Sequence, residues 1–297
     1  MGLAPPGLQT VTAGALTRRE RGTIVVQETS DRAMLRAFLD KDRLFSAYAL
    51  CDLDDREFLR TRWGVAIVGG EPIAVVLQYA GYSPQPIFVL GENAGIEAIL
   101  ANVIKPRAAY VASRPEHLAA IGTSYRIESG PPMLRMWVDA AHFRPFPGEV
   151  QRLLPVEISD LNRLYQLGFA SWLPASAITD GLYYGVRVGW RLVSAAGTHV
   201  ISPAARLAVV GNVMTHTDSR GRGYATAVTG AVTADLLRFC DQVVLNVRAD
   251  NTPALAAYRR LGYQAYVSFE ERLIHRSEPP WSGWTGAFRR IFARKES

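Results

Sequence analysis

Arg220-Gly221-Arg222-Gly223-Tyr224-Ala225 places two glycines and two cations where an apolar run gives way to a helical one. Residues 207–215 are almost wholly apolar, and Val228, Val232 and Leu236 then recur every four residues through 224–239. That order predicts a strand, a tight turn and a helix whose first N–H groups have no partner inside the helix. Unpaired amides at the positive end of a helix form an anion site. The glycines let the backbone approach a ligand closely, and Arg220 and Arg222 add charge suited to a phosphate or pyrophosphate. The chemistry points to a nucleotide-like cofactor.

The elements that must position this bend fall into two halves of similar order. In the first, a strand over 23–26 precedes a helix over 31–40. Strands over 63–68 and 73–79 flank the hairpin signal Gly69-Gly70-Glu71-Pro72. A strand at 87–90, a helix at 94–103, a strand at 108–111, a helical 115–118 and an alternating strand at 133–138 follow. The second half starts with a strand at 150–154 and a helix capped by Ser159. Strands at 186–193 and 198–201 lead to the run ending at Thr215. Beyond the bend and its helix, Val243-Val244-Leu245-Asn246-Val247 has the continuous apolar character of a strand buried on both faces. Asn251-Thr252-Pro253 starts another helix with a cap and a first-turn proline, Gly262 ends it, and a pair of strands fills 263–274. Phe143-Arg144-Pro145-Phe146-Pro147-Gly148 breaks both periodicities and marks the boundary.

On these residues the second half, about 148–275, resembles the GNAT superfamily of acyl-coenzyme A-dependent N-acyltransferases. Arg220 to Ala225 matches the family's Arg/Gln-x-x-Gly-x-Gly/Ala motif. Val213-Met214-Thr215-His216 matches the strand end before it, and Ala249 to Ala254 with Tyr258-Arg259-Arg260-Leu261-Gly262-Tyr263 matches the next strand-to-helix junction. The resemblance implies an α/β (α+β) fold of two GNAT-like domains. Each has a mixed, mostly antiparallel sheet flanked by helices, and the C-terminal sheet has a splayed strand pair. It implies acetyl-CoA, or another acyl-CoA, as cosubstrate and transfer of the acyl group to a primary amine by direct attack in a ternary complex. Arg220, Gly221, Arg222, Gly223, Tyr224 and Ala225 would hold the pyrophosphate. Val213, Met214 and Thr215 would flank the pantetheine arm, with Asn251 and Ala254 beside it, and Tyr258 would protonate the departing thiolate. No carboxylate lies between Leu207 and Met214, so the base is open among His199, His216, Asp180 and solvent, with His199 preferred. Trp172, Tyr183 and Tyr184 are the expected acceptor-pocket aromatics. The rival reading is an acyl-CoA sensor or scaffold without acceptor chemistry.

The first half has only Gly91-Glu92-Asn93 where the second has its bend. Residues 23–141 are therefore expected to be a degenerate GNAT-like domain, as in tandem members of the family, with 142–275 as the catalytic domain. Residues 1–22 are expected to be a flexible leader and 276–297 an aromatic, basic tail that docks onto the N-terminal domain or a second subunit. Of 33 Lys/Arg and 27 Asp/Glu, residues 1–142 hold 15 of each, so the whole +6 lies in the second half. Charge concentrated there suits an anionic small ligand better than a nucleic acid, which needs an extended basic face. No apolar run is long enough for a spanning helix. The two cysteines fit a reduced, cytoplasmic compartment and supply no metal framework. A small-molecule or peptide amine is the expected partner, a homodimer is left open, and neither metal nor membrane is expected.

Overall fold

The computed structural model describes residues 9–11, 22–166 and 173–277, the first three by backbone alone. Their strands form one continuous sheet. In the first half these are β1 (Gln9–Val11), β2 (Ile24–Glu28), β3 (Thr61–Val68), β4 (Glu71–Tyr79), β5 (Gln85–Gly91), β6 (Ala108–Ser113), β7 (Tyr125–Ile127) and β8 (Pro132–Val138). The second half contributes β9 (Gln151–Arg152), β10 (Tyr183–Val188), β11 (Arg191–Ser202), β12 (Leu207–Thr215), β13 (Gln242–Arg248) and β14 (Gln264–Arg276). Helices α1 (Arg32–Leu39), α2 (Ala47–Cys51), α3 (Asp55–Phe58), α4 (Asn93–Asn102) and α5 (Leu118–Gly122) belong to the first half. Helices α6 (Ile158–Tyr165), α7 (Ser176–Asp180), α8 (Tyr224–Leu236) and α9 (Thr252–Arg260) belong to the second.

Most strand pairs are antiparallel, but β5 and β6 run parallel in the first half, as do β12 and β13 in the second. Each parallel pair is joined through a helix, α4 or α8, as a parallel connection requires. The sheet order is β1-β2-β3-β4-β5-β6-β14-β8-β13-β12-β11-β10-β9, with β7 beside the far end of β14. From β2 to β9 this order mirrors itself about the β14–β8 contact. The final strand of each half lies in the other: β8 pairs with β13, and β14 pairs with β6. The expected split into two separate sheets is therefore replaced by one shared sheet. Main-chain groups in an antiparallel ladder accept any strand of suitable length, so a local reading does not reveal this exchange.

The expected pair of strands over 263–274 is a single strand of 13 residues. Its first part pairs with β8 and its second with β6. The run 186–193 is broken by a turn at Gly189 (φ 59°) and Trp190, which separates β10 from β11. The early strand of the second half shrinks to the two residues of β9. Elsewhere local rules hold: Asp31 caps α1 by accepting from Met34 N at 3.0 Å, and Gly69 and Gly70, both at positive φ, close the β3–β4 hairpin.

Side chains alternate along each strand and build a core on both faces. Helices α8 and α9 cover Ala208, Val210, Val243, Leu245 and Val247. The opposite face of the same strands, Leu207, Val209 and Val244, lies in a core with Phe38, Phe45 and Leu50 of the first half. Thus α2 packs onto β11 and β12 of the second half, while α1 packs against β4 and α2. Cys51 and Cys240 are both buried and free. Among the described residues no helix is long and apolar enough to cross a membrane, and no cluster of three metal-ligating side chains occurs.

Candidate active site

β12 and β13 are paired only from Leu207↔Gln242 to Val210↔Leu245. Beyond that point they part. β12 stays with β11 through Ala195↔Met214 and Ser194↔Thr215, while β13 stays with β8 through Asn246↔Arg135 to Arg248↔Met133. The edges of residues 211–215 and 246–248 consequently face a gap, as splayed strands require. Asn212 and Val213 stand opposite no residue of the β11 ladder, and Asn212 has φ 52°. This is a bulge held by a non-glycine residue in the left-handed region, a conformation that needs support. Tyr165 donates to Asn212 O at 2.5 Å, and the Asn212 amide donates to the Tyr183 hydroxyl at 2.8 Å.

At the end of β12 the chain turns through Arg220, Gly221 (φ 76°), Arg222 and Gly223 (φ 80°) into α8. A side chain on Gly221 would meet nothing within 4 Å, whereas one on Gly223 would lie 3.3 Å from the Phe146 ring. The bend is open to solvent and backed by the linker between the halves. Among the described residues no N–H from Gly221 to Thr226 donates to a backbone carbonyl; the first that does, Ala227 N, reaches Gly223 O at 3.0 Å. Arg220 and Arg222 are exposed beside these amides. The donor set fits a diphosphate: unpaired N–H groups, a helix start and two exposed cations.

On the α9 side of the gap, Tyr258 is buried in the same apolar cluster as Val213, Leu245 and Val247. Burial pushes its phenol up to about 12, and its hydroxyl has no hydrogen-bond partner among the described residues. Asn251 caps α9 by accepting from Ala254 N at 3.3 Å, which leaves its amide N–H₂ free to donate. In the first half the matching bend is closed. Glu92 N donates to Ile73 O at 2.9 Å, Asn93 bonds Glu116 O and the His117 ring, and a side chain on Gly91 would strike Ile73 O.

The other face of the gap is polar. His199, on β11, lies over Gly211, whose missing side chain leaves room for the ring. Its Nδ1 is 2.6 Å from the Tyr48 hydroxyl and its Nε2 is 3.1 Å from Asn212 Oδ1. Because Asn212 donates through its amide nitrogen, its oxygen is the acceptor, so Nε2 carries the proton and Nδ1 accepts from Tyr48. Burial by the surrounding protein lowers the His199 pKa. In this arrangement both ring nitrogens are engaged. It holds the bulge and has no free lone pair for a substrate proton.

The other sequence candidates are dispersed. Tyr183 is buried with its hydroxyl on Asn212, while Tyr184, the next residue along β10, bonds Asp235 of α8 from the opposite face. The two cannot line one groove. Trp172 lies outside the described residues, as do residues 278–297. His216 is a turn residue whose ring meets Arg191 at 2.7 Å, and Asp180 pairs with Arg56 at 2.8 Å. Sequence reasoning missed Tyr48, Arg135, Asn246 and Glu271, which come from α2, β8, β13 and β14. Helix α2 has five residues, too short for a periodic signal.

Comparison with known proteins bears on the fold. The FR47-like protein family matches residues 183–273. Among curated proteins no sequence matches. Solved structures do. An acetyltransferase of the GNAT family from Novosphingobium aromaticivorans is 23% identical with a TM-score of 0.52, over 68% of this chain and 89% of that one. A GCN5-related N-acetyltransferase from Sphaerobacter thermophilus is 15% identical with a TM-score of 0.59, over 86% and 96%. A tandem GNAT protein from the clavulanic acid biosynthesis pathway is 16% identical with a TM-score of 0.51, over 86% and 99%. The fold is that of the GNAT acetyltransferases.

Proposed function

We propose that this chain is an acyl-CoA-dependent N-acyltransferase, with acetyl-CoA as the first donor to test and a primary amine as acceptor. The observation that carries the reading is the open glycine bend at the mouth of the β12–β13 gap. In this reading the N–H groups of Gly221 to Ala225, with Arg220 and Arg222, hold the diphosphate. The free edges at Val213 and Thr215 pair with the amide-rich arm as an added strand would. Asn251 and Ala254 flank the arm where α9 begins. Amides at the bulge and Met214 meet the negative charge that develops on the carbonyl oxygen.

Tyr258 serves the leaving sulfur. A phenol held near 12 keeps its proton in the resting site and lies above an ordinary thiol, about 8.5. It therefore acts first as a hydrogen-bond donor to the sulfur. Proton transfer is completed only as the thiolate, also removed from water, becomes more basic. The mirrored sheet and the two closely similar helix arrangements support a duplicated GNAT unit, residues 23–141 and 142–275, of which only the second kept the coenzyme bend.

Calorimetry with acetyl-CoA, followed by a thiol-release assay over a panel of amines, tests the reading. Saturable binding heat and amine-dependent thiol release are expected. No heat from any acyl-CoA, or binding with no turnover by any amine, would overturn it; the latter is the behaviour of a sensor.

A further inference from the structure

Where β12 and β13 part, the face turned toward α2 carries a connected run of polar side chains in place of a core. Arg135 of β8 is buried, and its Nη1 donates to Leu44 O at 2.9 Å and Phe45 O at 2.7 Å, just before α2. Its Nε donates to Asn246 Oδ1 at 2.7 Å. That bond settles the orientation of the Asn246 amide, so its N–H₂ points away from Arg135 and reaches Glu271 Oε1 at 3.1 Å. Asn246 is the first residue of β13 beyond the last paired one, Leu245. The carboxylate it holds therefore lies one hydrogen bond from the first gap-edge residue, reached from β14 across β8. Tyr48, which bonds His199 on the other side of the gap, has its ring 5.5 Å from the Arg135 guanidinium and completes the run.

Glu271 is the member of this run with unused capacity. It is exposed to solvent, and among the described residues no Lys, Arg or His nitrogen lies within 4 Å of it. Its second oxygen has no hydrogen-bond donor there. The surrounding protein raises its pKa even though Arg135 works against that rise. The other charges nearby are already committed: Arg135 to three acceptors, and Arg114 to Asp42, which also accepts from Tyr266. A solvent-exposed carboxylate with one unused oxygen and no cation in direct contact can take one from outside.

We propose that Glu271, oriented through Asn246 and Arg135, binds the ammonium group of the acceptor, which enters from the α2 side of the sheet and gives up its proton to solvent before the neutral amine attacks the thioester. The acceptor is thus a cationic primary amine without a carboxylate next to the amino group, because Glu271 would repel an acid and the run offers no free cation to receive one. The inference rests on the acyltransfer reading and adds the acceptor's side of the site. It gives the first half a role there, since Leu44, Phe45 and Tyr48 support the run from a segment more than 200 residues away from Glu271.

The test compares the full-length wild type with Glu271→Gln and Glu271→Lys at saturating acetyl-CoA, using benzylamine, tyramine and glucosamine against glutamate and aspartate. Hydroxylamine, uncharged near neutral pH, serves as a nucleophile that needs no ionic anchor. The wild type should prefer the first three over the two acids by at least about 10-fold in kcat/KM. Glu271→Gln should raise KM for the best amine about 10-fold, and Glu271→Lys more, with kcat, hydroxylamine turnover and acetyl-CoA affinity nearly unchanged. Unchanged KM in both variants, or a wild type that prefers amino acids, overturns this inference and leaves acyl transfer standing. Loss of acetyl-CoA affinity in Glu271→Gln assigns Glu271 to the fold and also overturns it. No acetyl-CoA binding, or no thiol release with any nucleophile, removes the acyltransfer reading and this inference with it.

Discussion

Tyr258 and Asp52 show how burial shifts the behaviour of an ionisable group. Tyr258 lies among apolar side chains with its hydroxyl uncommitted, so removing the hydroxyl leaves packing intact and removes only a proton donor. Tyr258→Phe is expected to lower turnover about 10²-fold while acetyl-CoA binding heat and the thermal midpoint stay put. Asp52 is buried near Asp54 and Glu57, and burial with those like charges pushes its pKa up to about 8. The folded state thus holds a proton that the unfolded chain releases near ~3.9. The associated stability is complete below that value and is lost as pH rises through about 8. Asp52→Asn should flatten this decline, as seen in urea denaturation midpoints measured between pH 5 and 9; an undiminished slope would place the titrating group elsewhere.

At the scale of elements, the role proposed for the β12-bend-α8 unit depends on backbone conformation more than on side chains. Gly223 sits at φ 80° directly before the helix, with the Phe146 ring 3.3 Å from where a side chain would begin. A β-branched residue there faces a left-handed backbone cost of roughly 1–2 kcal/mol as well as that contact. Gly223→Val is therefore expected to shift the bend and lower acetyl-CoA affinity at least 10-fold by calorimetry. Gly221, with open space around it, is the milder position. This unit was legible in the sequence because its strand, its glycines and its helix are consecutive. The α2 cover and the Gly189-Trp190 turn were not. The helix is a single short turn of chain, and Val186 to Val193 reads as one apolar run unless tertiary pairing breaks it.

At the scale of the molecule, the exchange of β8 and β14 makes each half the other's neighbour in the sheet. Deleting either half would leave β13 or β6 without the strand beside it, and would expose apolar surface such as Leu207, Val209 and Val244 that the first half covers. Residues 22–141 and 142–277 expressed separately are expected to lack cooperative thermal unfolding by circular dichroism. Co-expressed, they should be recovered as one folded complex. Independent folding of either piece would show that the shared strands are dispensable.

The glycine bend, the helix caps and most of the strand succession in each half could be read from residues alone. Glycine conformation, capping and apolar periodicity act over fewer than about a dozen neighbours, so local sequence suffices for them. Which strand lies beside which was decided by the tertiary structure, because backbone ladders carry little information about their partners. So was the run from His199 through Tyr48, Arg135 and Asn246 to Glu271. Its members are spread across a helix and four strands, and no sequence spacing links them. Only the shared sheet brings them to one side of the gap.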